Sequence, residues 1–136
     1  MLVIGLFLAL LIPISTRYGH YTKVSSLSSQ YSRATYVAKP STKHIILMGE
    51  CDLDAIDTFL NECFHADHGT SQTDVVILRN SDPTDGIEKV IGMPKFEQKV
   101  KYIKGNPLDK SDLDRCKLHL ADCVIILSNP FSPNPL

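Results

Sequence analysis

No G-x-G-x-x-G, no P-loop lysine motif and no G-x-S-x-G occurs anywhere in the 136 residues. The first absence removes the bare backbone that lets a helix N-terminus approach a dinucleotide pyrophosphate. The other two remove the phosphate cradle and the nucleophile elbow, so no enzyme class is indicated. The four cysteines, Cys51, Cys63, Cys116 and Cys123, include no C-x-x-C pair. Three of them fall inside helix or strand patterns beside apolar neighbours, where a thiol packs as a small hydrophobe, and reduced cytosolic thiols are the expectation. The net charge is −1, and no basic run interleaved with aromatics is present, so nothing in the chain calls for nucleic acid.

A long apolar run is also missing, although a short one is present. Residues 1–14, MLVIGLFLALLIPI, are apolar throughout. As a helix, Leu2 to Ile14 would rise about 20 Å at ~1.5 Å per residue, against a hydrocarbon core of about 30 Å. Alone it cannot span, and it lacks the basic start and small-residue cleavage site of a signal peptide. A truncated membrane helix is one reading and a buried terminal helix another. From Ser15 to Thr42 there is no acidic residue, while Arg17, Lys23, Arg33 and Lys39 are spread through a Ser-, Thr- and Tyr-rich stretch. This composition suits a cytoplasmic flank under the positive-inside rule, and equally a flexible linker.

From Lys43 onward strand and helix patterns alternate. Ile45–Met48 reads as a strand ending at Gly49, and Leu53, Ile56, Phe59, Leu60 and Phe64 recur at helical spacing. Val75–Leu78 reads as a second strand. A short helix carrying Ile87, Val90 and Ile91 follows Asp82-Pro83 and is stopped by Gly92 and Pro94. Val100–Ile103 is a third strand, 108–120 a helix with Leu113, Cys116, Leu118 and Leu120 apolar, and Cys123–Leu127 a fourth strand of buried type. The order βαβαβαβ predicts an α/β fold, a Rossmann-like parallel sheet with right-handed crossovers. Its first turn has one glycine, and Glu50, Asp52 and Asp54 put negative charge where phosphates would sit, so no nucleotide is expected. After Ser128-Asn129 the chain becomes proline-rich without periodicity, and the whole reads as a piece of a longer protein.

The Lys43-His44-Ile45 start with Gly49, Phe59-Leu60 through His65-Ala66-Asp67, the strand Val75-Val76-Ile77-Leu78 followed by Asn80, and Leu120-Ala121-Asp122-Cys123-Val124-Ile125-Ile126-Leu127-Ser128-Asn129 occur in a characteristic joint order. In that order the chain resembles the Slo-type large-conductance calcium-activated potassium channels. The resemblance covers the first half of the first RCK domain well and the end of the pore helix loosely. It implies that residues 1–14 end an inner pore helix, 15–42 form a cytoplasmic basic linker, and 43–136 form an incomplete RCK Rossmann-like subdomain. It implies a homotetrameric gating ring and a membrane protein with residues 15–136 cytoplasmic. It also implies calcium as regulatory ion, with Glu62 and Asp67 as metal ligands. A magnesium site of some members would fall on Asp74, which keeps its acid, and near Lys101, which reverses the charge and argues against that site.

Competing chemistry is weaker. Cys63, His65, Asp67 and His68 are all acceptable to zinc, but on a helix Cys63 and His65 point about 200° apart. Cys51 opens a helix without a histidine partner, and His20, His44 and His119 read as surface or core-edge residues. A stand-alone degenerate Rossmann or RCK-like regulatory module is the alternative. An NAD(P)-binding oxidoreductase fragment, with Arg79 closing the second strand, is the contrasting class and lacks the phosphate seat.

Overall fold

The computed structural model describes residues 30–50, 52–68 and 72–127. Four strands alternate with helices: β1 (Lys43–Met48), α1 (Leu53–Cys63), β2 (Thr73–Arg79), α2 (Asp85–Ile91), β3 (Val100–Lys104), α3 (Lys110–Arg115) and β4 (Cys123–Ile126). Short 3-10 turns at Ala66–His68 and Leu118–Leu120 follow α1 and α3. The strands form one parallel sheet in the order β3-β2-β1-β4. The expected Rossmann-like α/β fold is therefore present in the described residues, with each predicted strand within two residues of its observed bounds.

Local chemistry sets the boundaries. Asp52 caps α1 by accepting from Ala55 N at 2.9 Å, Thr84 caps α2 by accepting from Ile87 N at 3.4 Å, and Asp109 caps α3 by accepting from Ser111 N at 2.8 Å. Each side chain satisfies a backbone donor that the first helical turn leaves unpaired. Strand side chains alternate between two cores, as a sheet covered on both faces requires. One core packs Ile56 and Leu60 of α1 and Ile87 and Val90 of α2 on Leu47, Val75, Ile77 and Tyr102. The other packs Ile46, Met48, Val76, Leu78 and Ile103 under Tyr36 and Cys116.

Three expectations change. The helix predicted over 108–120 is α only from Lys110 to Arg115. Lys117 takes a left-handed φ of 56°, which breaks the helical bond ladder, and Leu120 is left exposed on the 3-10 turn that follows. The fourth strand is not buried: β4 pairs with β1 along one edge only, and Cys123, Val124 and Ile126 are exposed, Ile126 at 70%. His44 is neither at the surface nor at the core edge. Its place on β1 turns it to the second core, where it is 1% exposed, 4.6 Å from the Tyr36 ring centre. Its Nε2 lies 3.2 Å from the Cys116 carbonyl, which only accepts, so Nε2 carries the proton.

The apolar stretch 1–14, most of the basic segment, Cys51 and the proline-rich residues 130–136 lie outside the described residues. Among the described residues no helix is long and apolar enough to cross a membrane.

Candidate functional site

The first strand-to-helix turn is shaped by packing within the sheet. Gly49 has φ +107°, a conformation that L side chains rarely adopt, and a Cβ there would run into the backbone carbonyl of Leu127. Leu127 N donates to Met48 O at 2.9 Å, so the chain leaving β4 is fastened across this turn. The glycine is thus required by a crossing backbone. The α1 N-terminus that follows carries the Asp52 cap and Asp54 in its first turn, which set negative charge at the position a phosphate would occupy.

The C-terminal end of α1 carries the two residues expected as calcium ligands. Glu62 lies one residue before the end of the helix and is exposed, and Asp67 follows on the 3-10 turn with its side chain 87% exposed. The Asp67 carboxylate and backbone N–H both lie 3.4 Å from His65 Nδ1. Two of the helix-end carbonyls are already engaged: Leu60 O accepts from Phe64 N and Glu62 O from His65 N, each at 3.1 Å. Carboxylate oxygen is the donor type that calcium takes, but calcium takes six to eight oxygens. The donor type fits and the number falls short. No group of three or more His, Cys, Asp or Glu able to hold a metal occurs among the described residues. Cys63 packs against the first core while His65 is exposed, so the zinc-type residues share no common face.

The second core holds an arrangement that reading the sequence missed. Asp74 on β2 is 4% exposed and accepts from Tyr36 Oη at 3.0 Å and Lys39 Nζ at 2.9 Å. Burial first, then the bond to Asp74 and its charge, push the Tyr36 phenol far above its ordinary range. Lys101, exposed on β3, stands in register with Val76 rather than with Asp74. The carboxylate that the resemblance assigns to magnesium is therefore occupied by a lysine and a tyrosine of the same chain.

Arg115, the last residue of α3, completes this seam. Its Nε and Nη2 donate to the Ala34 carbonyl at 3.1 and 2.8 Å, Nη2 also to Tyr31 O at 3.3 Å, and Nη1 to Lys104 O at 3.2 Å and Asp112 Oδ1 at 2.6 Å. In return Tyr36 N donates to Arg115 O at 3.0 Å, and the Tyr31 ring meets Tyr102 edge-on at 5.4 Å. Asp112 accepts from Asn106 N at 2.7 Å, and this bond, followed by Arg115, holds its carboxyl below the usual carboxylate range. Residues 31–39, read from composition as linker, are thus fastened to α3, β2 and β3. The available signal was the aromatic pair Tyr31 and Tyr36, large apolar bodies in an otherwise polar stretch. For Arg115 the i,i+3 pairing with Asp112 was the one local signal, and it does not reveal the Tyr31 and Ala34 carbonyls some eighty residues away in the chain.

The family model described as the calcium-activated potassium channel slowpoke-like RCK domain matches residues 40–135. The calcium-activated potassium channel slo-1 of Caenorhabditis elegans is 30% identical over 100 residues, which make up 74% of this chain and 9% of that protein. The chain therefore spans under a tenth of the length of that relative.

Proposed function

The chain belongs to the slowpoke-like RCK family of calcium-activated potassium channels, and from that premise we propose that it is part of a channel subunit whose cytosolic regulatory domain couples calcium binding to the opening of a pore. Regulation rather than catalysis is the expected role. The observation that carries the coupling is the seam at Arg115. A regulatory domain moves a pore only if the segment between them is attached to the part that moves. Residues 31–39 are held by one guanidinium across Tyr31 and Ala34, and by the buried carboxylate of Asp74. A displacement of α3 or β2 is then passed to the chain that precedes them.

In this reading Glu62 and Asp67 contribute two oxygen-donor carboxylates to a calcium site, and the remaining oxygens come from groups outside the described residues. Calcium favours whichever arrangement of the domain brings those donors together, and the difference in affinity between two arrangements sets how far the equilibrium moves. Assembly as a homotetrameric ring, attachment to a membrane through residues 1–14 and a cytoplasmic position for 15–136 belong to the same proposal.

The test uses the intact subunit expressed in cells and patch recording at stepped calcium. Asp67→Ala is expected to shift half-activation to higher calcium, with Glu62→Gln giving a smaller shift. Unchanged calcium activation in both would remove the site assignment. Arg115→Ala is expected to leave calcium affinity close to normal while reducing the open probability that saturating calcium reaches. A normal maximum would remove the seam from the mechanism.

A further inference from the structure

A cleft that the proposed function does not use opens beside the edge strand β3. It encloses about 550 Å³ between three pieces of chain: residues 30–34, the C-terminal end of α2, and the stretch from Glu97 to Tyr102. That volume falls in the range of small-molecule sites. Its walls are held in place before anything binds. The Tyr31 ring stands edge-on to Tyr102 at 5.4 Å, its hydroxyl donates to the Glu88 carboxylate, and Ala34 is fixed by the Arg115 fork. Ile91 and Val100 add aliphatic surface to the same lining.

The charge on the lining selects among ligands. Arg33, on the segment ahead of the sheet, and Lys101, on β3, both line the cleft and both are exposed. Among the described residues neither side-chain cation has a hydrogen bond or an ion pair. Of the two acids there, Glu88 already accepts from Tyr31, and Glu97 alone is uncommitted. The C-terminal end of α2 adds partial negative charge, which Lys89 in its last turn offsets. Two uncommitted cations against one uncommitted carboxylate favour an anion, and the tyrosine rings favour a flat apolar body. A guanidinium grips a carboxylate through two parallel bonds, and a lysine adds a point charge.

We propose that this cleft binds a small aromatic carboxylate, with the carboxylate held by Arg33 and Lys101 and the ring against Tyr31. Arg33 belongs to the segment that Arg115 fastens and Lys101 to the sheet, so an occupied cleft ties segment and sheet together at a second point. If that segment passes motion to a pore, as proposed above, the ligand strengthens the coupling. Binding itself does not depend on that reading.

Naphthoate is the probe, titrated into the full chain and followed by amide NMR. The expected shifts saturate and are confined to the cleft walls, and Arg33→Ala and Lys101→Ala each weaken binding about tenfold, the loss of one charge-assisted bond. Both side chains are exposed, so both variants keep the fold, which the same spectra report. The neutral alcohol naphthalenemethanol and the cation naphthylmethylammonium are expected to bind at least about tenfold more weakly than the carboxylate. Absence of saturable shifts, shifts centred elsewhere, equal binding of either analogue, or full affinity in both alanine variants would each overturn the proposal. The readout is binding to the chain alone, so this result and the calcium-gating result can fail separately.

Discussion

The Tyr36 hydroxyl donates to Asp74 across 3.0 Å, and the carboxylate that receives it is 4% exposed. A residue from the segment ahead of the sheet thus satisfies a buried charge on its second strand. Tyr36→Phe leaves that charge with Lys39 alone and is expected to lower stability by about 1–2 kcal/mol. Lys39 is more than half exposed, so Lys39→Met should cost under about 1 kcal/mol despite the shorter contact. Urea unfolding of the two variants decides the ranking, and a larger loss for the lysine variant would reverse it.

Arg115 offers a sharper contrast. Arg115→Ala removes donors to Ala34, Tyr31, Lys104 and Asp112 together, an expected loss of about 2–4 kcal/mol. Arg115→Lys should recover little, because one ammonium cannot reproduce a planar fork with several donors. Trypsin gives a local readout at Arg33. That site should resist cleavage in the unaltered protein and become labile in the alanine variant before global unfolding.

Alkaline stability should depend on Cys116. Burial pushes this thiol from 9.0 up to about 11 in the folded chain. Between those values the unfolded chain has lost the proton and the folded chain has kept it. Stability is therefore full below pH 9 and falls as pH rises towards 11. Cys116→Ala should be less stable at neutral pH and show a shallower decline across this window. An unchanged slope in pH-stepped denaturation would show that other groups, Tyr36 among them, control it.

Gly49→Ala is expected to be costly for two reasons that add. A positive φ penalises an L side chain by about 1–2 kcal/mol, and the new Cβ meets the Leu127 carbonyl rather than a side chain that could turn aside. The chain leaving β4 would have to move. Loss of amide-exchange protection at Leu127, whose N–H is bonded to Met48, is the specific signature.

The strands and α1 were legible because their patterns are set by burial on two faces: Ile45–Met48 and Val75–Leu78 can only be covered on both sides. The C-terminal part of 108–120 was misread for a specific reason. Leu118 and Leu120 continue a helical apolar rhythm, yet Lys117 turns left-handed and ends the helix before they are reached. The buried run in β4 was read as core, whereas burial depends on neighbours that one strand cannot reveal. The glycine at 49 was recognised as significant, and its reason, a backbone crossing from residue 127, is long-range. Glu62 lies in the last turn of α1 and Asp67 on the 3-10 turn that follows, but His44 and most of the Arg115 fork act through backbone carbonyls distant in sequence. No local pattern encodes such partners.

The sheet order also has a consequence in time. β4 is made last of the four strands and docks beside the first, against the edge of β1 that β2 leaves open. A nascent chain that has reached residue 104 can form three strands, yet it still presents a bare row of β1 amides and carbonyls. At about 5–20 residues per second, that row waits for a second or more until Cys123–Ile126 have been synthesised and have left the ribosome. During that interval β1 is open to pairing with another chain.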